Sequence, residues 1–231
     1  MQHIIDLETY PLDKPDSDRY RTMVKDLAEQ LDTKQVCMLP GFLRDNIRRD
    51  EIARVMAVLP RANPARSHRN VYLERSMNPD LADDHPTNIL AEASYKMLGA
   101  HLLPEDSAMK ALYQWDPFRQ FVADVTGSQE LYPSEDPYQP VNVLCHEPGD
   151  KSAWHFDSTN AFTMTLTLQS PEAGGVFEMS PNIRSADDPN HAELSKLLKG
   201  DHSTVKRFER EDGALMMFRG CHSAHRVTEV E

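Results

Sequence analysis

From residue 141 onward the chain is a series of short strand-like runs cut by turn signals, and this pattern most constrains its fold. Residues 141–145 form the first run, and Glu147-Pro148-Gly149-Asp150 turns it back. Residues 161–168 (AFTMTLTL) alternate roughly between the two faces of a strand. Gly174-Gly175 then turns the chain into 176–179. Residues 204–208 and 214–218, joined by Glu211-Asp212-Gly213, read as a further strand pair. Short antiparallel strands at regular spacing predict an α+β protein with a mainly β core, a jelly-roll or cupin-like barrel of the double-stranded β-helix type.

Two clusters of metal-ligand residues lie within this series. Trp154-His155-Phe156-Asp157 precedes the 161–168 run, and Cys221-His222-Ser223-Ala224-His225-Arg226-Val227 follows the last one. Side chains alternate along a strand, so His155 and Asp157 project to one side and can converge on one ion. A third ligand from a distant strand would complete a two-His-one-carboxylate face that leaves the opposite positions open, the arrangement of non-haem Fe(II) sites. His-x-Asp alone is weak, since about one such tripeptide is expected by chance in an Asp-rich chain with this many histidines. The strand context raises it. Trp154 is read as packing outside the site and His146 as structural. His191-Ala192-Glu193 repeats the spacing, but on a helix i and i+2 do not share a face.

Residues 1–131 read as a largely helical support region. Asp16-Ser17 can cap a helix whose apolar positions Tyr20, Met23, Val24, Leu27 and Leu31 follow the helical period. Residues 35–39 suggest a short strand ended by Pro40-Gly41, and 44–59 a second helix. Residues 60–70 are basic and read as irregular, 71–73 as a strand, and 88–103 and 107–126 as two more helices, the last kinked or restarted at Pro117. The proline-rich stretch 132–140 is the expected connection to the core at 141–231. An insertion at 182–203 carries a short helix over 190–198 with Pro189 before it and Gly200 after it. It reads equally as a lid over the site or as a surface excursion. The whole is expected to form one domain.

Composition narrows the function classes. The 231 residues are 39% hydrophobic and 27% charged, as in ordinary globular proteins. The net charge of −12 argues against nucleic acid as a partner, because phosphate neutralisation needs a basic face. There is no apolar run of membrane-spanning length and no signal-like start, which predicts no membrane association. Cys37, Cys145 and Cys221 are an odd number without CxxC spacing and read as reduced thiols in a cytoplasmic protein. Oligomeric state leaves no mark in the sequence.

The run WHFD…LTLQSPEAGGVFEMSPNIRS…GALMMFRGCHSAHRVTEV resembles the bacterial Fe(II)/2-oxoglutarate-dependent oxygenases related to free-amino-acid radical halogenases and hydroxylases. The resemblance covers roughly residues 95–231. It implies a double-stranded β-helix core, Fe(II), and 2-oxoglutarate and O2 as co-substrates, with succinate and CO2 released. It implies a small-molecule substrate, a free amino acid or close derivative. Carried over residue by residue, the ligands are His155, Asp157 and His225. His222 competes for the third place, and His225 is preferred because it matches the family's HRV. The halogenating relatives have a small residue where this chain has Asp157, so the resemblance implies hydroxylation. Enzymes of this class usually hold the far carboxylate of 2-oxoglutarate with an Arg about ten residues beyond the distal His. The chain stops six residues after His225, so that Arg and the last barrel strand are expected beyond residue 231.

Further candidates are Asn142 and Thr165, which alternation would turn inward towards 2-oxoglutarate, and Arg219, close to the distal ligand. Arg75 is a candidate for a substrate carboxylate. Competing readings are a 2-oxoglutarate-dependent demethylase or desaturase, and a non-catalytic cupin-like module that only binds metal.

Overall fold

The computed structural model describes residues 1–158 and 162–231. Helix α1 (Asp18–Lys34) starts where Ser17 Oγ accepts from the Tyr20 N–H at 3.2 Å. It ends at Gln35, left-handed at φ 62°, whose amide reaches back to the Leu31 and Asp32 carbonyls. Strand β1 (Val36–Leu39) and helix α2 (Asp45–Val58) follow as expected.

The next segment departs from expectation. Residues 60–70, read as irregular, contain strand β2 (Asn63–Arg69), and 88–103, read as a helix, contains strand β3 (Ala91–Leu98). Ala, Glu, Lys, Met and Leu favour helix locally, but here the segment lies between two strands that satisfy its backbone on both sides. Pro64 is tolerated because β2 is an edge strand. Residues 71–73 are a turn instead of a strand. Asn70 Oδ1 accepts from the N–H groups of Tyr72 and Glu74, and Leu73 sits at φ 67°. The first 131 residues are therefore helices interleaved with three strands. The 107–126 segment restarts at Pro117, giving α3 (Ala108–Gln114) and α4 (Asp116–Thr126).

The remaining strands are β4 (Val143–Cys145), β5 (Thr163–Leu166), β6 (Phe177–Ser180), β7 (Lys206–Phe208), β8 (Leu215–Phe218) and β9 (Ala224–Val227), with α5 (His191–Leu198) between β6 and β7. Part of the expected 161–168 run, Ala161, lies outside the described residues. Among the described residues all pairings are antiparallel, in three sheets ordered β1-β8-β5, β2-β3-β4 and β7-β6-β9. The expected pair of 204–208 with 214–218 does not form. β7 pairs with β6, and β8 lies between β1 and β5, so the turn at Gly213 carries the chain from one sheet to another.

The register explains the core. Opposed residues of an antiparallel pair share a face. Phe177 and Met179 of β6 therefore share theirs with Val227 and His225 of β9, and they pack on Val36, Met216 and Phe218 of the β1-β8-β5 sheet. The other side of that sheet, with Cys37, Leu39, Leu215 and Met217, is covered by Leu27 and Leu31 of α1 and Phe118, Phe121 and Val125 of α4. No described helix is long and apolar enough to cross a membrane.

Candidate metal centre

The three expected ligands meet at one end of the space between the β1-β8-β5 and β7-β6-β9 sheets. The His155 segment runs beside β9, and His155 and His225 exchange both backbone hydrogen bonds at 3.0 Å. The Asp157 N–H donates to the Gly220 carbonyl at 3.2 Å, which ties the other end of the segment to the loop before β9. The two imidazole centroids are 4.3 Å apart, and one ligand atom from each of His155, Asp157 and His225 lies within 4.8 Å of the others.

Hydrogen bonds assign the free atoms. His155 Nδ1 faces the Ala153 carbonyl at 2.9 Å and His225 Nδ1 the Ser223 carbonyl at 3.0 Å. A carbonyl only accepts, so each Nδ1 carries a proton, and Nε2 is the ring nitrogen each imidazole turns towards a metal. On Asp157, Oδ2 accepts from Thr163 Oγ1 at 2.6 Å, while Oδ1 points to His225 Nε2 at 3.6 Å. Burial, then the neighbouring His225 ring, pushes the His155 imidazole down to about 4, so it is neutral at ordinary pH. Burial alone would raise the Asp157 carboxyl. Contact with His225 and the Thr163 hydroxyl outweigh it and hold the group below its usual value. Two imidazole Nε2 atoms and one ionised carboxylate oxygen fit a divalent transition metal held on one face.

The surroundings shield the other sides. His225 is 4.9 Å from the Phe218 ring and 5.7 Å from Phe177, and its side chain is 4% exposed, against 17% for Asp157, so the opening is on the Asp157 side. Gly220 completes the cradle. A Cβ there would stand 2.0 Å from Asp157 Oδ2 and 2.7 Å from His225 Cε1.

Other expected residues are placed differently. His222 lies outside the ligand group, and its carbonyl accepts from the Arg184 N–H at 3.3 Å. Arg219 turns away from the site to Asp32 at 2.9 Å, because alternation puts it on the face opposite Phe218. Asn142 is exposed and donates to Gln139. It precedes β4, and nothing brings it to the ligands. Thr165 is exposed on the inner face: it stands opposite Met216, as Thr163 stands opposite Phe218. Arg75 is exposed beyond the Asn70 turn, which is pinned to the ligand segment where the Phe156 N–H donates to the Val71 carbonyl at 2.9 Å. Trp154 packs away from the site, with Arg226 4.7 Å over its ring, and His146 lies beside Tyr95. His191 contacts His85 and stands apart from the ligand group. Helix α5 buries Leu194 and Leu197 against Trp154 and Phe156. Thr163 and Gly220 were not singled out by sequence reasoning. The alternation that points Thr165 inward also points Thr163 inward, and that signal was available.

Known proteins resemble this chain in family and in fold. The family described as Halogenase D matches residues 20–231. No curated protein matches the chain. Among solved structures, a 2OG-Fe(II) oxygenase family oxidoreductase from Burkholderia pseudomallei aligns over 90% of this chain and 84% of its own, at TM-score 0.53 and 16% identity. A prolyl-4-hydroxylase from Pseudomonas putida aligns over 90% and 92%, at 0.54 and 14%. A Trichoplax adhaerens prolyl hydroxylase, solved with a hypoxia inducible factor peptide fragment, aligns over 94% and 90%, at 0.54 and 14%. At such identities the likeness is one of fold.

Proposed function

This chain belongs to the Halogenase D family, and we propose that it is an Fe(II)- and 2-oxoglutarate-dependent dioxygenase that hydroxylates a small molecule, a free amino acid or close derivative. On this reading its core is the double-stranded β-helix, and His155, Asp157 and His225 hold the iron. The observation that carries it is the Asp157 carboxylate, set among the ligands with one oxygen fixed by Thr163 and the other turned towards His225.

When bound, Fe(II) with 2-oxoglutarate and O2 supplies the oxidising power to place one oxygen on a substrate carbon, with succinate and CO2 released. The residues of the chain supply the frame. The Ala153 and Ser223 carbonyls fix both imidazoles in the tautomer and orientation that present Nε2. Thr163 leaves Asp157 one oxygen to offer, so the carboxylate serves as a single ligand and the opposite face stays free. Phe177 and Phe218 keep water from the His225 side. Asp157 fills the place that halogenating relatives leave to chloride, which supports oxygen transfer over halogen transfer. Thr165, on the inner face, has a hydroxyl available to 2-oxoglutarate, and Arg75 follows directly on the turn fixed to the ligand segment.

The test is a succinate-release screen over free amino acids with Fe(II), 2-oxoglutarate, O2 and chloride, with product masses recorded. A gain of one oxygen is expected. A chlorinated product from the unaltered enzyme would overturn hydroxylation, and loss of two hydrogens would identify a desaturase.

A further inference from the structure

His155 and Asp157 arrive on one segment and His225 on another, so the metal face depends on how the two arms are spaced. In front, the arms are joined by backbone hydrogen bonds. Behind them is Phe156, between the two ligands, whose ring points to the other side and packs among Val71, Ile183, Leu194 and Leu197. Arg184 lies over that ring with Cζ 3.7 Å from its centroid, and Tyr72 stacks on the same ring at 6.0 Å. The Arg184 Nε–H donates to the Cys221 carbonyl at 2.8 Å, in the loop that leads to His225. Next to it, the Asn182 N–H donates to Ser223 Oγ at 3.1 Å.

We propose that Arg184 is a positioning residue that sets the spacing of the two ligand arms, by stacking on Phe156 and holding the Cys221 carbonyl at once. This rests on the reading of His155, Asp157 and His225 as a metal centre. An ion pair does not account for Arg184: among the described residues no carboxylate lies within 4.0 Å of it. The planar guanidinium is suited to the task, because its face stacks on an aromatic ring while its edge donates in plane. Lysine keeps the charge but cannot do both.

The test is anaerobic Co(II) titration of the metal-free protein, read by visible absorption. Arg184→Gln is expected to lower Co(II) affinity by about 10- to 100-fold, the range for residues supporting metal ligands, and to change the Co(II) band. Arg184→Lys should recover only part. Arg207→Gln, which loses a pairing with Glu178 on the outer face, should change neither. Phe156→Leu keeps the apolar contact but removes the ring, so it should reproduce the defect with Arg184 intact, and the double variant should lose no more than the worse single one. If Arg184→Gln does not fold, Phe156→Leu carries the test. Wild-type affinity and band in the folded variants overturn the inference. Failure of the unaltered protein to bind Co(II) or Fe(II) overturns the metal-centre reading instead.

Discussion

Replacing Gly220 by alanine should remove the metal while leaving the fold in place. Gly220 is not among the glycines at positive φ, so its backbone suits any residue and the demand is for space alone. The added methyl would lie 2.0 Å from Asp157 Oδ2, 2.7 Å from Asp157 Cγ and 2.7 Å from His225 Cε1, whereas ordinary contact begins near 3.4 Å. The carboxylate must therefore retreat by about 1.4 Å. A workable metal site tolerates about 0.2 Å of error in ligand distance, so the displacement is several times what the site can absorb. Two restraints oppose an easier escape. The methyl meets atoms of both ligand arms, and Asp157 Oδ2 is the atom that Thr163 holds.

Without metal, Asp157 can swing towards the opening, since that is the side on which the site is exposed. Gly220→Ala should then keep the far-UV spectrum and, in chelator, a melting temperature within a few degrees of the unaltered protein. Binding should suffer far more. We expect Fe(II) or Co(II) affinity to fall by at least about 100-fold, and the rise in melting temperature on adding metal to disappear. Binding within twofold of the unaltered protein would refute the reasoning, because the methyl would then have to coexist with an intact ligand set.

Two more outcomes follow from the site. Thr163→Val keeps the shape but removes the donor to Asp157 Oδ2, so metal affinity should drop by about tenfold in chelator competition while Thr163→Ser stays near normal; equal affinity in all three would show that the hydroxyl does not orient the carboxylate. His155, held down at about 4 in the folded protein, gains a proton more readily when unfolded. The metal-free protein should therefore lose stability as pH falls from about 6.5 towards 4, by on the order of 3 kcal/mol at most. Urea midpoints across that range should show the slope, and a His155→Gln variant should flatten it.

The parts of this protein that could be read in the sequence are those whose physics is local. α1 carries its own cap and apolar period, and β5 its own alternation. The candidate ligands, which the structure brings together, are legible because metal chemistry restricts residue type, and strand geometry then dictates the spacing of His155 and Asp157. β3 was missed because it is a strand only by virtue of β2 and β4, each paired with it across a long stretch of chain. β7 and β8 are neighbours in sequence yet belong to different sheets, so nearness along the chain misassigned both partners. Arg219 failed for a related reason: one step along β8 turns a side chain from the metal side to the helix side.

Residues that support the ligands fall into the same division. Thr163 supports Asp157 from the nearest strand, and the same alternation that places Thr165 would have found it. Arg184 supports two arms at once from an excursion between β6 and β7, and the PNIR run that contains it shares in the family resemblance without announcing those contacts. A backbone carbonyl can be engaged by a donor from any part of the fold, so chemistry there restricts neither residue type nor position. A candidate ligand set can thus be drawn from a sequence, while the precision with which it is held depends on contacts that only the folded chain reveals.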